Sequence, residues 1–146
     1  MKAALTEHRG TEAQRNTEDD QSGGDEFALS QKVIGCAIEV HRLLGPGLLE
    51  SAYEHALCHE LQLQGIAFRR QIDLPVVYKG QTLAQVYRLD LVVEGALLLE
   101  LKAVEILLPL HKAQTLTYLR MSGLKTALLI NFNVEALRQG VKRISL

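Results

Sequence analysis

The sequence predicts an α/β protein built on a mixed sheet that is flanked by helices. Three observations lead to this prediction: apolar residues first recur at helical spacing, the pattern then alternates with a period of two, and one helix finally separates two apolar strands. A strand–helix–strand connection of this length favours a right-handed crossover between parallel strands. The chain has 146 residues, of which 47% are hydrophobic and 23% charged, and this composition suits one globular domain.

The N-terminal segment, residues 1–26, differs in composition from the rest of the chain. It carries seven acidic and three basic residues and few apolar ones. Because it has too little apolar surface to bury, it is predicted to be a disordered acidic tail. The domain is predicted over residues 27–146. Its slight excess of basic residues is compatible with a phosphate-rich partner but is far weaker than that of a dedicated nucleic-acid binder.

Targeting signals are not evident in the sequence. No apolar run reaches the ~18 residues that a membrane span needs, and the N-terminus lacks the apolar core of a signal peptide. Cys36 and Cys58 form no CxxC pair, so both are expected to be reduced thiols. We therefore expect a cytoplasmic protein with no membrane partner.

Two helices are predicted at the start of the domain. Ser30 can cap the first, whose apolar residues recur every three or four positions until Gly45-Pro46-Gly47 ends it. The second is predicted over residues 48–64, and Gly65 follows it as a C-terminal cap.

The remaining elements follow in a clear order. Three strands in a meander are predicted over residues 66–78, 83–93 and 96–104. Lys79-Gly80 and Glu94-Gly95 supply the turns between them. Pro109 then begins a helix over residues 109–122, and an apolar strand over residues 126–132 has the pattern of a strand buried on both faces. A helical turn and a short strand close the chain.

The residues with chemical potential lie on the second and third predicted strands. On the second strand, alternation places Arg88 and Asp90 on one face and Leu89 and Leu91 on the other. Arg88 thus lies on the same predicted face as the acidic group, where its guanidinium could contact a phosphate.

Asp90, Glu100 and Lys102 are predicted to converge. Glu100 and Lys102 share a face of the third strand, and Asp90 and Glu100 lie at similar distances from the turn that joins the two strands. The hairpin therefore makes the two carboxylates cross-strand neighbours. Burying them without compensation would be costly, so they need each other, the ammonium or a cation. Paired carboxylates on rigid strands are a typical oxygen-ligand set for Mg²⁺.

A simpler interpretation stays open at this point. Asp90 and Lys102 could form a cross-strand salt bridge while Glu100 faces solvent, because edge strands often carry such charges for solubility.

Two helices carry further candidate residues. The second predicted helix opens with Glu50, Tyr53 and Glu54 on one side, although the helix dipole alone also explains acidic residues in a first turn. The helix over residues 109–122 carries a stripe of polar residues, which a partly solvated helix face also explains: His111, Gln114 and Tyr118.

Five motifs in this order resemble the signature of the GxxExxY proteins, over roughly residues 29–144. They are Gly47-x-x-Glu50-x-x-Tyr53, Arg88-Leu89-Asp90-Leu91-Val92-Val93, Glu100-Leu101-Lys102-Ala103-Val104-Glu105, His111-x-Ala113-Gln114 with Tyr118-Leu119, and Leu128-Leu129-Ile130-Asn131-Phe132. That family is placed in the PD-(D/E)XK nuclease-like superfamily. The resemblance implies a restriction-endonuclease-like αβββαβ core, here with an extra N-terminal helix.

The resemblance also implies roles for individual residues. The first acidic position of the superfamily motif falls on Asp90, and its Glu-x-Lys falls on Glu100 and Lys102. The acidic residue of the preceding helix falls on Glu50. Leu89 stands where the superfamily motif has the proline that names it. A glutamine–tyrosine motif carried by RecB-type nucleases is similar to Gln114-x-x-x-Tyr118.

The implied chemistry is metal-assisted hydrolysis of a phosphodiester. Asp90 and Glu100 would hold Mg²⁺ or Mn²⁺ with Glu50 and the Leu101 carbonyl as further ligands, and Lys102 would orient the attacking water and stabilise negative charge.

Gln114 and Tyr118 would position the metal ligands or the nucleic-acid backbone. The competing hypothesis is a non-catalytic nucleic-acid-binding or protein-assembly module that retains the nuclease fold. The sequence leaves open DNA or RNA, endo- or exonuclease, and monomer or homodimer.

Overall fold

The computed structural model describes residues 15–146, with side chains from residue 23 onward. Its elements in chain order are α1 (Arg15–Leu44), α2 (Glu50–Leu63), β1 (Phe68–Tyr78), β2 (Gln81–Val93), β3 (Leu97–Lys102), α3 (Pro109–Ser122), β4 (Thr126–Asn131), a 3₁₀ turn (Leu137–Gly140) and β5 (Val141–Ser145). In this part of the chain, no helix combines the length and apolar character that crossing a membrane requires.

The five strands form one mixed sheet in the order β1-β2-β3-β4-β5. β3 and β4 are parallel, and every other neighbouring pair is antiparallel. Helix α3 supplies the crossover between β3 and β4, as the strand–helix–strand pattern predicted. The predicted fold class, a mixed sheet flanked by helices with an αβββαβ core and an extra leading helix, is therefore confirmed.

Two apolar clusters cover the two faces of the sheet. On one face, α1 and α2 pack against strand residues that include Leu91, Leu99 and Ile130, all of which are buried. On the other face, α3 packs through Leu119 against residues that include Leu98. Because both faces of the sheet are covered, polar groups can reach solvent at the ends of strands and where neighbouring strands separate.

Tyr53 fixes the connection between α1 and α2. Its buried hydroxyl donates a hydrogen bond to the Gly45 carbonyl at 2.6 Å and accepts one from the Leu48 N–H at 3.1 Å. Its ring stacks on Phe132 with centroids 4.6 Å apart. In the structure this tyrosine of the Gly-x-x-Glu-x-x-Tyr pattern therefore holds a loop and the core together.

The start of the domain differs from the prediction. The sequence predicted an unstructured segment over residues 1–26 and a helix capped by Ser30, whereas α1 runs from Arg15 through that position. Ser30 lies inside the helix, where its hydroxyl donates to the Glu26 carbonyl at 2.9 Å and accepts a bond from Arg143 at 2.7 Å. The cap prediction is wrong because a serine can satisfy its hydroxyl within a helix by bonding one turn back. Residues 1–14 of the predicted tail lie outside the described residues.

The face assignment on β2 is also corrected by the structure. Leu91 packs in the cluster under α1 and α2, whereas Leu89 packs in the cluster under α3, so the two residues lie on opposite faces. On β1, Arg70 pairs with Leu91 and Ile72 with Leu89. Regular alternation would place Leu89 and Leu91 on one face. The alternation reverses at Asp90, where the facing residue Gln71 has a left-handed φ of +51°.

Candidate functional site

Strands β2 and β3 separate at the position of Asp90. They pair only from Leu91 opposite Leu99 to Val93 opposite Leu97. β3 continues beside β4 as far as Lys102 opposite Asn131. The separation leaves a gap in the sheet next to the last residues of β3.

The carboxylates of Asp90 and Glu100 occupy this gap, and each is bound by the backbone of the opposite strand. The Leu101 N–H donates to Oδ2 of Asp90 at 2.8 Å, and the Asp90 N–H donates to Oε2 of Glu100 at 3.0 Å. These two bonds replace the ladder bonds that the separated strands no longer make. The predicted cross-strand proximity of the two carboxylates is present in the structure.

Each carboxylate has one oxygen left over. Glu100 is buried, with 4% of its surface exposed, and Asp90 is partly buried. Among the described residues, Oδ1 of Asp90 and Oε1 of Glu100 accept no hydrogen bond, yet no fully enclosed side-chain oxygen there lacks a partner. The two remaining oxygens therefore reach solvent, and a ligand can approach them.

Burial raises the pKa of both carboxyl groups, and neighbouring acidic charges raise it further. Desolvation raises the pKa of Asp90 to about 6, with smaller contributions from the charges of Glu54 and Glu50. Desolvation raises the pKa of Glu100 to about 8, and the charge of Asp90 adds to this shift. The backbone N–H bonds and the charge of Lys102 lower both pKa values and offset only part of the increase. Two such carboxylates favour a proton or a cation at the site.

Lys102 lies near the carboxylates without pairing with either. Its charge lowers the pKa of Asp90 and of Glu100, so its ammonium is within electrostatic range of both. Within the described part of the chain, the ion pairs within 4 Å do not include Lys102. The alternative of an Asp90–Lys102 salt bridge with a solvent-facing Glu100 is therefore wrong, because Glu100 is buried and the ammonium is unpaired.

The two acidic residues of α2 take different positions. Glu50 is exposed at the first turn of α2, where its charge raises the pKa of Asp90 and Glu100. Glu54 is buried, and its carboxylate is bound by Arg70 at 2.6 Å and by Gln71 at 2.8 Å. Across residues 23–146, no group of three or more His, Cys, Asp or Glu side chains is arranged to hold a metal. The structure thus brings two carboxylates together and leaves Glu50 at longer range.

The predicted stripe on α3 divides into three different environments. His111 accepts a hydrogen bond from the Leu108 N–H at 2.9 Å and so caps the helix, while Gln114 is exposed. Tyr118 faces the site: burial raises its pKa, and the charges of Glu100 and Asp90 raise it further. Its ring lies 6.1 Å from that of Tyr87. Tyr118 is therefore the residue of the stripe that lies within electrostatic range of the carboxylates.

Arg88 lies apart from the carboxylate pair. Its Nε donates to Asp73 at 2.9 Å, and both side chains are mostly exposed. Tyr87 contacts α3, so alternation turns Arg88 toward the opposite face of the strand. The prediction that Arg88 shares a face with Asp90 assumed unbroken alternation, which the reversal at Asp90 interrupts.

Asn131 is a buried residue of this region to which the sequence analysis gave no role. Its side-chain amide donates to the Val104 carbonyl at 2.8 Å, and its Oδ1 accepts the Val104 N–H at 3.0 Å. It thereby anchors the chain immediately after Lys102. Its position at the end of an apolar strand was visible in the sequence, but its partner, 27 residues away, was not.

The oxygen atoms in the gap match the chemistry of a hard divalent cation. Lys102 directs its carbonyl toward β4, where it accepts the Phe132 N–H, so the Leu101 carbonyl points toward the gap. The free oxygens of Asp90 and Glu100 and this carbonyl are the donors available. Mg²⁺ is commonly held by one or two carboxylates, with water and substrate oxygens completing the octahedron. The residues present therefore fit such an ion.

Comparison with known proteins identifies a superfamily. A family model of the PD-(D/E)XK nuclease superfamily matches residues 28–144, which is most of the chain and includes every site residue described above. No curated protein and no solved structure matches the sequence.

Proposed function

The chain belongs to the PD-(D/E)XK nuclease superfamily, and from this premise we propose that it is a divalent-metal-dependent nuclease that hydrolyses phosphodiester bonds of DNA or RNA. Within the superfamily we place it among the GxxExxY proteins, on the five motifs that the sequence carries. The proposal identifies Asp90, Glu100 and Lys102 as the catalytic centre.

One observation carries the proposal. Two carboxylates lie together in a sheet gap, each is fixed by a backbone N–H, and each keeps one oxygen open to solvent. Maintaining two repelling acidic groups in a desolvated site costs folding free energy, as their raised pKa values indicate. A cation bound between the two groups would offset this cost in folding free energy.

Asp90 and Glu100 would hold Mg²⁺ or Mn²⁺, with the Leu101 carbonyl as a further donor and Glu50 acting through water. When bound, such an ion supplies Lewis-acid activation of the phosphodiester and of the attacking water. The two backbone N–H bonds keep the carboxylate oxygens in place before the ion arrives, so little reorganisation is needed.

The remaining residues would act on the substrate. Lys102 has no ion-pair partner among the described side chains and lies near the carboxylates. There it would bind a phosphate oxygen and stabilise the negative charge that develops on it. Tyr118 would donate its hydroxyl proton in a hydrogen bond to the substrate backbone, and Gln114 is exposed one turn earlier on the same helix. Arg88, which is tied to Asp73, would contact phosphates farther along the strand.

A cleavage assay tests the proposal. Purified protein is incubated with single- and double-stranded DNA and RNA, linear and circular, with Mg²⁺, with Mn²⁺ or with a chelator. We expect metal-dependent cleavage of at least one substrate, and Lys102→Ala should lower its rate by about 100-fold or more, as does removal of a transition-state charge contact elsewhere.

Lys125→Ala is the matched control. Lys125 is exposed and precedes β4, at the opposite end of the parallel β3–β4 pair from Lys102, so its loss should leave the cleavage rate unchanged. Equal rates for wild type and Lys102→Ala would reject the catalytic role. A wild-type protein that binds nucleic acid or a protein but neither binds metal nor cleaves would support the non-catalytic module instead.

A further inference from the structure

The reversal of alternation on β2 coincides with a strained residue on β1. Gln71 and Asp90 lie at the same level of the two strands, between the pairs Arg70–Leu91 and Ile72–Leu89. Gln71 has a φ of +51°, which lies in the left-handed region. A residue with a side chain adopts this region at a cost unless its surroundings hold it there. The ladder on either side of it, Arg70 with Leu91 and Ile72 with Leu89, keeps one register. At this one position, therefore, the side chains of β2 change from one face of the sheet to the other while the pairing register stays the same.

Glu54 holds the strained residue from helix α2. Its Oε1 accepts the Gln71 side-chain amide at 2.8 Å, and its Oε2 accepts two bonds from Arg70, at 2.6 and 3.1 Å. Glu54 is 8% exposed, so these bonds form in a largely desolvated setting where an unpaired carboxylate would be costly. Both of its oxygens are occupied by two consecutive residues of β1.

The Asp90 carboxylate does not take the direction of a side chain in a regular strand. In a regular strand a side chain points to one face of the sheet or the other. The Asp90 carboxylate instead lies toward β3, within bonding distance of the Leu101 N–H. That N–H points toward β2 at a level where β2 no longer pairs with β3, so the carboxylate takes the place of a strand.

We propose that Gln71 and Glu54 are positioning residues: the Glu54–Gln71 hydrogen bond holds the left-handed turn in β1 that directs the Asp90 carboxylate into the gap and onto the Leu101 N–H. The catalytic purpose of that position rests on the proposed function, whereas the positioning itself does not. The Glu54–Arg70 pair already joins α2 to β1. The bond to Gln71 is additional, and it joins the one residue of β1 whose backbone is left-handed.

Substitutions of Gln71 separate the effect of its left-handed backbone from the effect of its hydrogen bond to Glu54. Gln71→Val disfavours a positive φ, because a β-branched side chain resists the left-handed region, and it removes the bond. Gln71→Glu keeps the shape of the side chain and places a second carboxylate against Glu54. Gln71→Gly also removes the bond but makes the left-handed backbone inexpensive, so no bond is needed to hold it.

The measurement is amide hydrogen exchange of metal-free protein followed by NMR, comparing Leu101 with Leu99. Both N–H groups point toward β2, but Leu99 lies within the β2–β3 ladder, so it reports on the sheet as a whole. We expect Gln71→Val and Gln71→Glu to speed the exchange of Leu101 relative to Leu99 by about tenfold or more, and Gln71→Gly to leave the ratio within about threefold of wild type. If Gln71→Val does not fold, the glutamate and glycine variants decide the result.

An unchanged Leu101-to-Leu99 ratio in the glutamate variant would overturn the inference. A ratio raised equally in the glycine variant would also overturn it, because the left-handed backbone would then not be what directs Asp90. A calorimetric titration with Mn²⁺ provides the link to function: Gln71→Glu should weaken binding by about 10- to 100-fold, the range found when groups behind a metal ligand are removed. If wild type binds no Mn²⁺, the proposed function fails while the exchange result still decides the positioning.

Discussion

The two strands that carry the carboxylates, β2 and β3, are built differently. β3 has six residues, five of them buried, and it pairs with β4 over its whole length. β2 has 13 residues and pairs with β3 only over its last three; before them, its one neighbour among the described strands is β1. Glu100 thus follows directly after the residues of β3 that are paired on both sides, and Asp90 lies at the point where β2 separates from β3.

This difference explains how the site forms. Register on β3 is determined by two neighbours and two apolar clusters, so Glu100 and Lys102 have little choice of face. At Asp90 one neighbour is lost, and the carboxylate can bond to the N–H that the missing pairing leaves free. The site therefore needs one regular strand and one interrupted strand, and the following predictions test that division.

The largest expected effect is on stability in β3. Leu99→Ala removes a fully buried side chain from a strand fixed on both sides, so it should lower the free energy of unfolding by about 2–5 kcal/mol. Val86→Ala, on the part of β2 that pairs with β1 but not with β3, removes a side chain that is 52% exposed and should change it by less than about 0.5 kcal/mol. Urea denaturation of both variants measures the difference. Equal losses would show that the extended part of β2 is as tightly packed as β3.

The second prediction concerns pH. Because the folded-state pKa values of Asp90 and Glu100 lie above their unfolded values, the folded protein binds more protons than the unfolded chain between about pH 4 and pH 8. The contribution of the two carboxyl groups to the free energy of unfolding is therefore most favourable below pH 4 and is lost as the pH rises toward 8. Removing the titration of Glu100 with Glu100→Gln should stabilise the metal-free protein at pH 8 by about 3 kcal/mol relative to its effect at pH 5.

Urea denaturation at both pH values measures this difference, with Asp73→Asn as the control. Asp73 is an exposed carboxylate on β1 that is paired with Arg88, so its removal should show no comparable dependence on pH. A Glu100→Gln effect that is the same at pH 5 and pH 8 would contradict the raised pKa.

Metal binding provides the third prediction. Mg²⁺ or Mn²⁺ should raise the melting temperature of wild type, and a concentration of ~100 times the dissociation constant corresponds to about 2.7 kcal/mol. Glu100→Gln should abolish the shift because it removes a charged ligand at little change of shape. Asp73→Asn should keep it. Scanning calorimetry with and without Mn²⁺ measures the shift, and a wild-type melting temperature that is indifferent to millimolar metal would argue against a metal site in the gap.

The smallest effect is expected at Arg88. Its ion pair with Asp73 is exposed, so Arg88→Ala should lower the free energy of unfolding by less than about 1 kcal/mol. If Arg88 also contacts substrate phosphates, Arg88→Ala should raise KM in the cleavage assay and leave kcat unchanged. Steady-state kinetics at two salt concentrations would detect this contact, and an unaltered KM at both would remove Arg88 from the substrate-binding residues.

Much of the fold followed from local pattern. The meander of strands β1, β2 and β3, the crossover helix that begins at Pro109 and the parallel β3–β4 pairing were predicted and are present, because periodicity and turn residues act over short distances. The cross-strand proximity of Asp90 and Glu100 was predicted for the same reason, since a short turn joins their strands. The start of α1 was not predicted, because a polar segment gives no periodic signal. In addition, the Ser30 hydroxyl is bonded partly by Arg143, which lies far away in the chain.

The sequence by itself determined which elements form, which residues carry the acidic and basic groups, and that these groups come together. Only the tertiary structure decided how the Asp90 carboxylate is directed. The reversal at Asp90 depends on the backbone of Gln71 and on Glu54 of helix α2, which lies 17 residues before Gln71 in the chain. Alternation cannot express such a contact because it assumes that each strand continues unbroken, whereas a left-handed residue held from outside the sheet interrupts it.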